Sequence, residues 1–463
     1  MRRVKAVAST ATFMMLARVA GAGAGFLAQL VLARLLSPEA LGKFFAATSL
    51  AAVLGIVATQ GYPGIVQRFV SRYRRPGRAA LLRAFFGQVQ RETWLAGLFF
   101  MACLLVPAML LPALDTDTRI FLLASAICVA AATSFSIYPP LACADRMFVI
   151  GMLPETLLRP IFFLGVALAI GISGIMLSAG TAVSAYAAVS ASLALAQFVV
   201  VKSAFASRGL RGPKKLRRRW RQEAWPLLLV LLFTTMFADL IILLTSPFLG
   251  PELLAPFGIA LKISMLIGFI VQVTHQISLP DLADAHQREN TEEMLDALLR
   301  STLLPVLVTA AALIAAIFWG DQILGLFGPD YAAAKWGLVL LIAAQVIRAL
   351  GGPAPLLLTL GGQQGMNAAI TLACCGVLLV GNAALTPRLG VLGACLSVLL
   401  VAVAWAGLST AMLARRMKTG ASLLYVLRHI PAKKYAGRGR VALMGKRRSP
   451  LPEAGIGGIG EPL

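Results

Sequence analysis

The chain has 463 residues, 59% apolar by type and only 13% charged, with mean hydropathy +0.83. Soluble domains average about 45–50% apolar and about 25% charged, which excludes a soluble enzyme or a soluble nucleic-acid-binding domain. The 42 Lys and Arg against 19 Asp and Glu give a net charge of +23. They fall in short tracts between apolar runs of about 20 residues, the length that crosses a bilayer.

Twelve apolar windows follow in chain order, near 10–33, 44–66, 94–111, 119–141, 149–172, 175–201, 225–249, 254–280, 301–319, 336–360, 364–385 and 390–413. Gly and Pro interruptions, and the short link from Gly171 to Gly174, leave eleven or thirteen as alternative counts. The first window follows Arg2, Arg3 and Lys5 as a signal peptide's would, but it is too long for one and carries Arg18. It therefore reads as a retained helix. The expected fold is an all-α polytopic membrane protein.

Basic residues orient the spans. With the N-terminus in the cytoplasm, 33 of the 42 Lys and Arg lie in cytoplasmic segments and 5 in external ones. Basic loops retained inside are the usual topology determinant, and an even span count puts both termini there. These loops also attract anionic lipid head groups, and no aromatic-interleaved patch points to nucleic acid. The expected organisation is a six-helix lobe at 1–201, a basic cytoplasmic loop at 202–224, a second six-helix lobe at 225–414, and a basic tail at 415–463. The tail mixes Pro, Gly and charge, as disordered segments do, with Leu423 to Leu427 suited to the membrane surface.

A displacement of 213 residues lays positions 36–58 over 249–271 with seven identities, Leu36, Pro38, Glu39, Leu41, Phe44, Ala47 and Gly55. In both copies Pro starts a helix and Glu sits at its positive N-terminal end. The displacement spans six helices, so both copies keep one orientation and a pseudo-two-fold axis runs along the membrane normal. Parallel repeats of this kind build transporters with a site near the midplane.

Charges inside a bilayer are rare and usually face a cavity. Here they are Arg18 in the first span, Glu155 and Arg159 in the fifth, Asp239 in the seventh, Lys262 in the eighth and Arg348 in the tenth, with His275 further along the eighth. Four basic groups against two acidic ones predict a net-cationic interior suited to an anionic head group, which guanidinium grips with parallel hydrogen bonds. Arg18, Arg159, Arg348 and Lys262 are the candidate binding residues. Asp239, Glu155 and His275 are candidates for proton coupling. Structural alternatives stand beside each: Glu155 and Arg159 neutralise each other at i, i+4, Lys262 snorkels, Asp239 pairs with Arg18 across the axis, and His275 is a satisfied helix-end residue. Gly21, Gly23 and Gly25 are candidate hinges or close-packing positions, whereas Pro353 and Pro355 imply a kink.

Cys103, Cys128, Cys143, Cys374, Cys375 and Cys395 read as small core residues, and no Cys/His cluster suggests a metal. No phosphate-binding loop, HExxH or GxSxG motif occurs. No cofactor is expected beyond a coupling H+ or Na+.

Leu32-Ala33-Arg34-Leu35-Leu36-Ser37-Pro38-Glu39, Gly42, Gly61 and Gln67-Arg68-Phe69 resemble the polysaccharide transporter branch, O-antigen flippase-like, of the multidrug/oligosaccharidyl-lipid/polysaccharide exporter superfamily. So do Ile323-Leu324-Gly325-Leu326-Phe327-Gly328-Pro329-Asp330-Tyr331 and the stretch from Gly352-Pro353 to Gly361-Gly362. The resemblance covers about 1–415. It implies two six-helix lobes, alternating access, and export of undecaprenyl-pyrophosphate-linked oligosaccharide across the bacterial inner membrane, with a polymerase and other glycan-assembly proteins as partners. It further implies that Arg18 matches a basic position on the first helix, and that Arg159 and Arg348 lie on helices lining a cavity or lateral portal. A cation-coupled multidrug exporter of the same superfamily is the alternative, and would need an acidic cavity. A membrane-embedded glycan ligase or polymerase would need a large external loop with catalytic Arg and His, and the loop near 320–335 has no His.

Overall fold

The computed structural model describes residues 2–74, 77–111, 115–173, 178–204, 214–288, 291–417 and 420–429. Among the described residues the secondary structure is entirely helical. In the first half the helices are α1 (Arg2–Leu35), α2 (Pro38–Ala58), α3 (Pro63–Tyr73), α4 (Ala79–Leu110) and α5 (Thr116–Ala144). They continue as α6 (Phe148–Leu153), a π-helical turn (Pro154–Leu158), α7 (Arg159–Ser173) and α8 (Ala179–Ala204). The second half holds α9 (Lys214–Thr235), α10 (Phe237–Thr245), α11 (Pro251–Gln287), α12 (Thr291–Gly325) and α13 (Lys335–Gly351). After these come α14 (Ala354–Leu360), α15 (Gln364–Leu389), α16 (Val391–Met417) and α17 (Leu423–His429).

Among the described residues eleven helices are long and apolar enough to cross a membrane, and α9 with α10, bent by 77°, makes a twelfth if the pair is one span. Each expected window falls on one of them. The helices outrun the windows because a helix satisfies its own backbone hydrogen bonds and continues into polar surroundings until a cap or breaker stops it. Ser37 caps α2, its hydroxyl accepting from the Ala40 amide at 3.2 Å, with Pro38 and Glu39 in the first turn. Its repeat partner α11 likewise starts at Pro251 with Glu252 in the first turn. Asp115 caps α5 through the Thr118 amide at 3.1 Å.

Two breaks matter for the site. Pro160 has no N–H to give the carbonyl one turn back, and the chain relaxes into the π turn at 154–158. The Thr156 carbonyl there faces α1 so closely that a Cβ on Gly21 would lie 1.7 Å from it. Helix α1 runs unbroken through Gly21, Gly23 and Gly25; Gly21 permits close packing rather than marking a bend. By contrast, the helix is interrupted at Pro353: α13 ends at Gly351, Gly352 takes φ +65°, and α14 starts at Ala354.

Helix α5 is central to the first lobe, packed along α8, α2 and α4, while α1 packs on α7 and the π turn. In the second lobe α16 packs on α15 and α13, and α12 on α11 and α13. The lobes meet along α2 and α11. Their contact is closed at one end where Gly42 abuts the backbone of Pro251 and Arg34 Nε donates to the Leu326 carbonyl at 2.9 Å. At the other end α9 lies across α2 and α3. There Trp220, fully buried, donates its indole N–H to Tyr73 at 3.0 Å, Gly61 meets the Ala224 backbone, and Arg221 pairs with Glu92 at 2.5 Å.

Of the stretch expected as an inter-lobe loop, 202–204 ends α8 and 214–224 begins α9, while 205–213 lies outside the described residues. In the tail, α16 runs to Met417 and α17 packs on α12. Helix α17 turns Leu424 and Leu427 outward and buries Val426; residues 430–463 lie outside the described residues. Cys128, Cys374 and Cys395 are buried as expected, but Cys103 is exposed on α4.

Candidate functional site

A cavity of about 370 Å³ opens between the lobes. Its walls come from α1 (Gln29), α2 (Phe44, Thr48), α5 (Phe135, Ser136), the π turn and α7 (Glu155, Arg159, Phe163), α8 (Tyr186), the α9–α10 break (Thr235, Met236), α10 (Asp239) and α11 (Lys262). Four of the seven intramembrane charges picked out in the sequence therefore converge on one space. The repeat explains half of this, because it aligns Lys262 with Ser49, and the Ser49 hydroxyl donates to Asp239 Oδ1 at 2.9 Å.

Arg159 is held from three sides. Glu155 Oε1 lies 3.7 Å from its Nη2, and its guanidinium sits 5.1 Å from the Phe135 ring centre and 5.7 Å from that of Tyr186. The π turn places Glu155 and Arg159 on the cavity side together. Lys262 does not snorkel: its ammonium sits 3.9 Å from the Phe45 ring centre, across the lobe contact. Aromatic faces attract cations through the ring quadrupole and partly replace water. Behind these groups Phe44 and Phe163 stack at 5.9 Å and 2°, and Tyr186 stands edge-on to both at 5.8 and 5.0 Å.

Three expectations need correcting. The lining holds Glu155 and Asp239 against Arg159 and Lys262, so the cavity is formally charge-balanced and not net-cationic. Arg18 is not among the residues that line it, and Asp239, for which a pairing with Arg18 was one alternative, accepts instead from the Ser49 hydroxyl. Arg348 and His275 are also elsewhere, within the second lobe. Arg348 lies 5.4 Å from the ring centres of both Phe237 and Trp405, and its Nη1 donates to Gln345 Oε1 at 3.3 Å. The physical reason is that a residue's depth in a span is legible in sequence, but its azimuth depends on which neighbours pack on the helix. Among the hinge candidates, Gly25 lines the cavity opposite Pro160, and Gly23 has open space where a Cβ would stand.

The sequence reading missed Ser49, Phe45, Phe135 and Tyr186. Only Ser49 had a signal, its place opposite Lys262 in the repeat. The aromatic residues were indistinguishable from ordinary apolar span residues. Among the described residues no group of His, Cys, Asp and Glu could hold a metal.

Residues 7–286 match the polysaccharide biosynthesis protein family. No curated protein matches the sequence. In fold the chain is similar to lipid II flippase MurJ in its inward closed conformation, at 14% identity, TM-score 0.63, over 87% of each chain. It is similar to an inward-facing multidrug resistance MATE family transporter of the MOP superfamily, at 15% identity and TM-score 0.62, over 86% of this chain and 94% of that one. A third relative in fold, at 13% identity and TM-score 0.53 over 88% and 94%, is a MOP superfamily transporter from Pyrococcus furiosus noted for the reverse polarity of its binding pocket. The two-lobed helical fold is that of the MOP superfamily, and by the match over more than half its length the chain belongs to the polysaccharide biosynthesis protein family.

Proposed function

We propose that the protein is a flippase that exports lipid-linked oligosaccharide, carried on undecaprenyl pyrophosphate, across the bacterial inner membrane by alternating access, with both termini in the cytoplasm. The observation that carries this reading is the inter-lobe cavity in which Arg159 and Lys262 face exchangeable carboxylates, in a member of a polysaccharide biosynthesis family. Arg159 contacts Glu155 at 3.7 Å, longer than the roughly 2.7–2.9 Å of a strong charge-assisted bond. A pyrophosphate, presenting paired oxygens to the planar guanidinium, competes well for it. Lys262 adds a second positive charge, and Phe135 and Tyr186 offer faces to sugar rings.

A dianion entering a balanced cavity leaves two excess negative charges, which a proton on each of Glu155 and Asp239 cancels. This makes those two carboxylates the coupling candidates in preference to the remote His275; Na+ in place of H+ is the other option. A space of about 370 Å³ holds a head group and not a whole oligosaccharide, so the lobes must part during export. The break at Met236, on the cavity wall, is suited to that motion. A polymerase and other glycan-assembly proteins are the expected partners.

The balanced charge also favours a second reading, export of a cationic small molecule held by Glu155 and Asp239. Proteoliposomes loaded with a fluorescent pyrophosphate-linked glycan separate the two. Wild type moves the glycan and Arg159→Gln loses at least ten-fold in rate; unchanged flipping in that variant, or proton-driven efflux of cationic dyes with no glycan movement, overturns the first reading.

A further inference from the structure

Arg348 lies one turn from the C-terminal end of α13, half-buried in the second lobe, and no carboxylate among the described residues is within ion-pairing distance of it. Glu155, Arg159, Asp239 and Lys262, by contrast, share one space in which opposite charges face each other. Arg348 has instead two aromatic faces, Phe237 and Trp405, each 5.4 Å away, and one neutral acceptor, Gln345 Oε1 at 3.3 Å. Of the guanidinium donors only Nη1 has a protein acceptor among the described residues, which leaves further N–H donors for a ligand. Gln345 itself is fixed against Gly268 of α11, where a Cβ would lie 2.5 Å from its Oε1. His275 stands two helical turns further along the same face of α11, a helix packed on α13, and its Nε2 is buried with no hydrogen-bond partner among the described residues.

We propose that Arg348, with Gln345 and His275, forms a second binding site in the second lobe, separate from the inter-lobe cavity, for a phosphate-bearing anion. Arg348 has N–H donors that no protein acceptor among the described residues takes, and His275, on the helix packed against α13, has an orphaned ring nitrogen that offers a further donor in its Nε2-H form. Phosphate is an acceptor suited to an unpaired guanidinium. Phe237 is the first residue of α10, directly after the break at Met236. It stands between the anion site and the cavity wall formed by Thr235, Met236 and Asp239, so a change in the α9–α10 bend moves one wall of the anion site. The phosphate is either a lipid head group or a free ion, and the site does not depend on what the inter-lobe cavity carries.

The test uses the full-length protein. In neutral detergent it is titrated with inorganic phosphate, and in nanodiscs it is compared in phosphatidylcholine with and without phosphatidylglycerol, reading the thermal midpoint and tryptophan fluorescence. A midpoint rise with inorganic phosphate identifies the free ion, and a rise only with phosphatidylglycerol identifies the head group. In an Arg159→Gln background, which removes the guanidinium of the inter-lobe cavity, adding Arg348→Gln lowers the apparent affinity for the active probe at least five-fold, while adding Arg348→Lys retains part of it. Trp405→Phe removes the fluorescence response and keeps the midpoint response, which gives a readout independent of how well Arg348→Gln folds. No response to either probe in the Arg159→Gln background, an equal response after adding Arg348→Gln to it, or a fluorescence response that persists in Trp405→Phe overturns the proposal.

Discussion

Phe45 and Gly258 occupy the same position in the two copies of the repeat and pack against each other, with 2.5 Å between Phe45 Cδ2 and the point where a Cβ on Gly258 would stand. A residue that touches its own repeat-mate lies on the axis relating the copies. The flanking contacts obey the same 213-residue displacement: Gly55 meets Ala132, and Gly268 meets Gln345. One register of close helix approach, set by glycine, is thus used once in each lobe.

Filling these positions should push helices apart. Gly258→Val forces the Phe45 ring away and disturbs the Lys262 contact above it, and Gly42→Ala collides with the Pro251 backbone. Overpacking typically costs roughly 1–3 kcal/mol. Both variants should melt at lower temperature in detergent, Gly42→Ala the more so, because backbone cannot swing aside as a ring can. A midpoint equal to wild type for Gly42→Ala would contradict the α2–α11 contact.

The end closed by α9 should depend on its buried contact more than on its ion pairs. Tyr73→Phe leaves the indole N–H of buried Trp220 without its acceptor, a loss of roughly 1–3 kcal/mol. Arg221→Ala removes a side chain 61% exposed from a Glu92 side chain only 14% exposed, but Glu92 keeps Tyr62 and Gln88 as donors, so the loss should be the smaller one. Thermal melts of the two variants should rank in that order, and the reverse ranking would show that charge holds this end.

Within the cavity, the two members of the Glu155–Arg159 pair should act with opposite sign. Glu155→Gln frees Arg159 from its carboxylate and should tighten binding of a soluble pyrophosphate-linked glycan at neutral pH, by about ten-fold, the equivalent of about 1.4 kcal/mol. Arg159→Gln should weaken it by at least as much. Isothermal titration of both variants reads this directly; weakening in both would mean that the pair serves packing alone.

The short half of the broken span is tied to the second lobe by a buried polar chain. Asn382 Nδ2 donates to Thr245 Oγ1 at 3.0 Å, and Thr386 Oγ1 donates to Asn382 Oδ1 at 3.1 Å. Thr245→Val strands the amide and should cost roughly 1–3 kcal/mol. The triple variant Thr245→Val, Asn382→Leu and Thr386→Val should recover part of that, since removing all three members leaves no stranded partner. A melt showing no recovery would place the cost in shape instead.

Spans, their number and the repeat were legible in the chain because each rests on local rules. About 20 apolar residues need a helix in lipid, and Pro38 and Pro251 start helices wherever they stand. The depth of Glu155, Arg159, Asp239 and Lys262 within those helices was equally legible. Only the tertiary structure decided which way each charge faces. It turned Arg159 toward Glu155 and Tyr186, carried Lys262 onto Phe45, gave Asp239 to Ser49 in place of Arg18, and enclosed Arg348 between Phe237 and Trp405. The physical reason is that hydropathy is a property of a segment, whereas the partner of a buried charge is fixed by helix rotation and crossing, which glycine contacts and breaks far apart in the chain determine together.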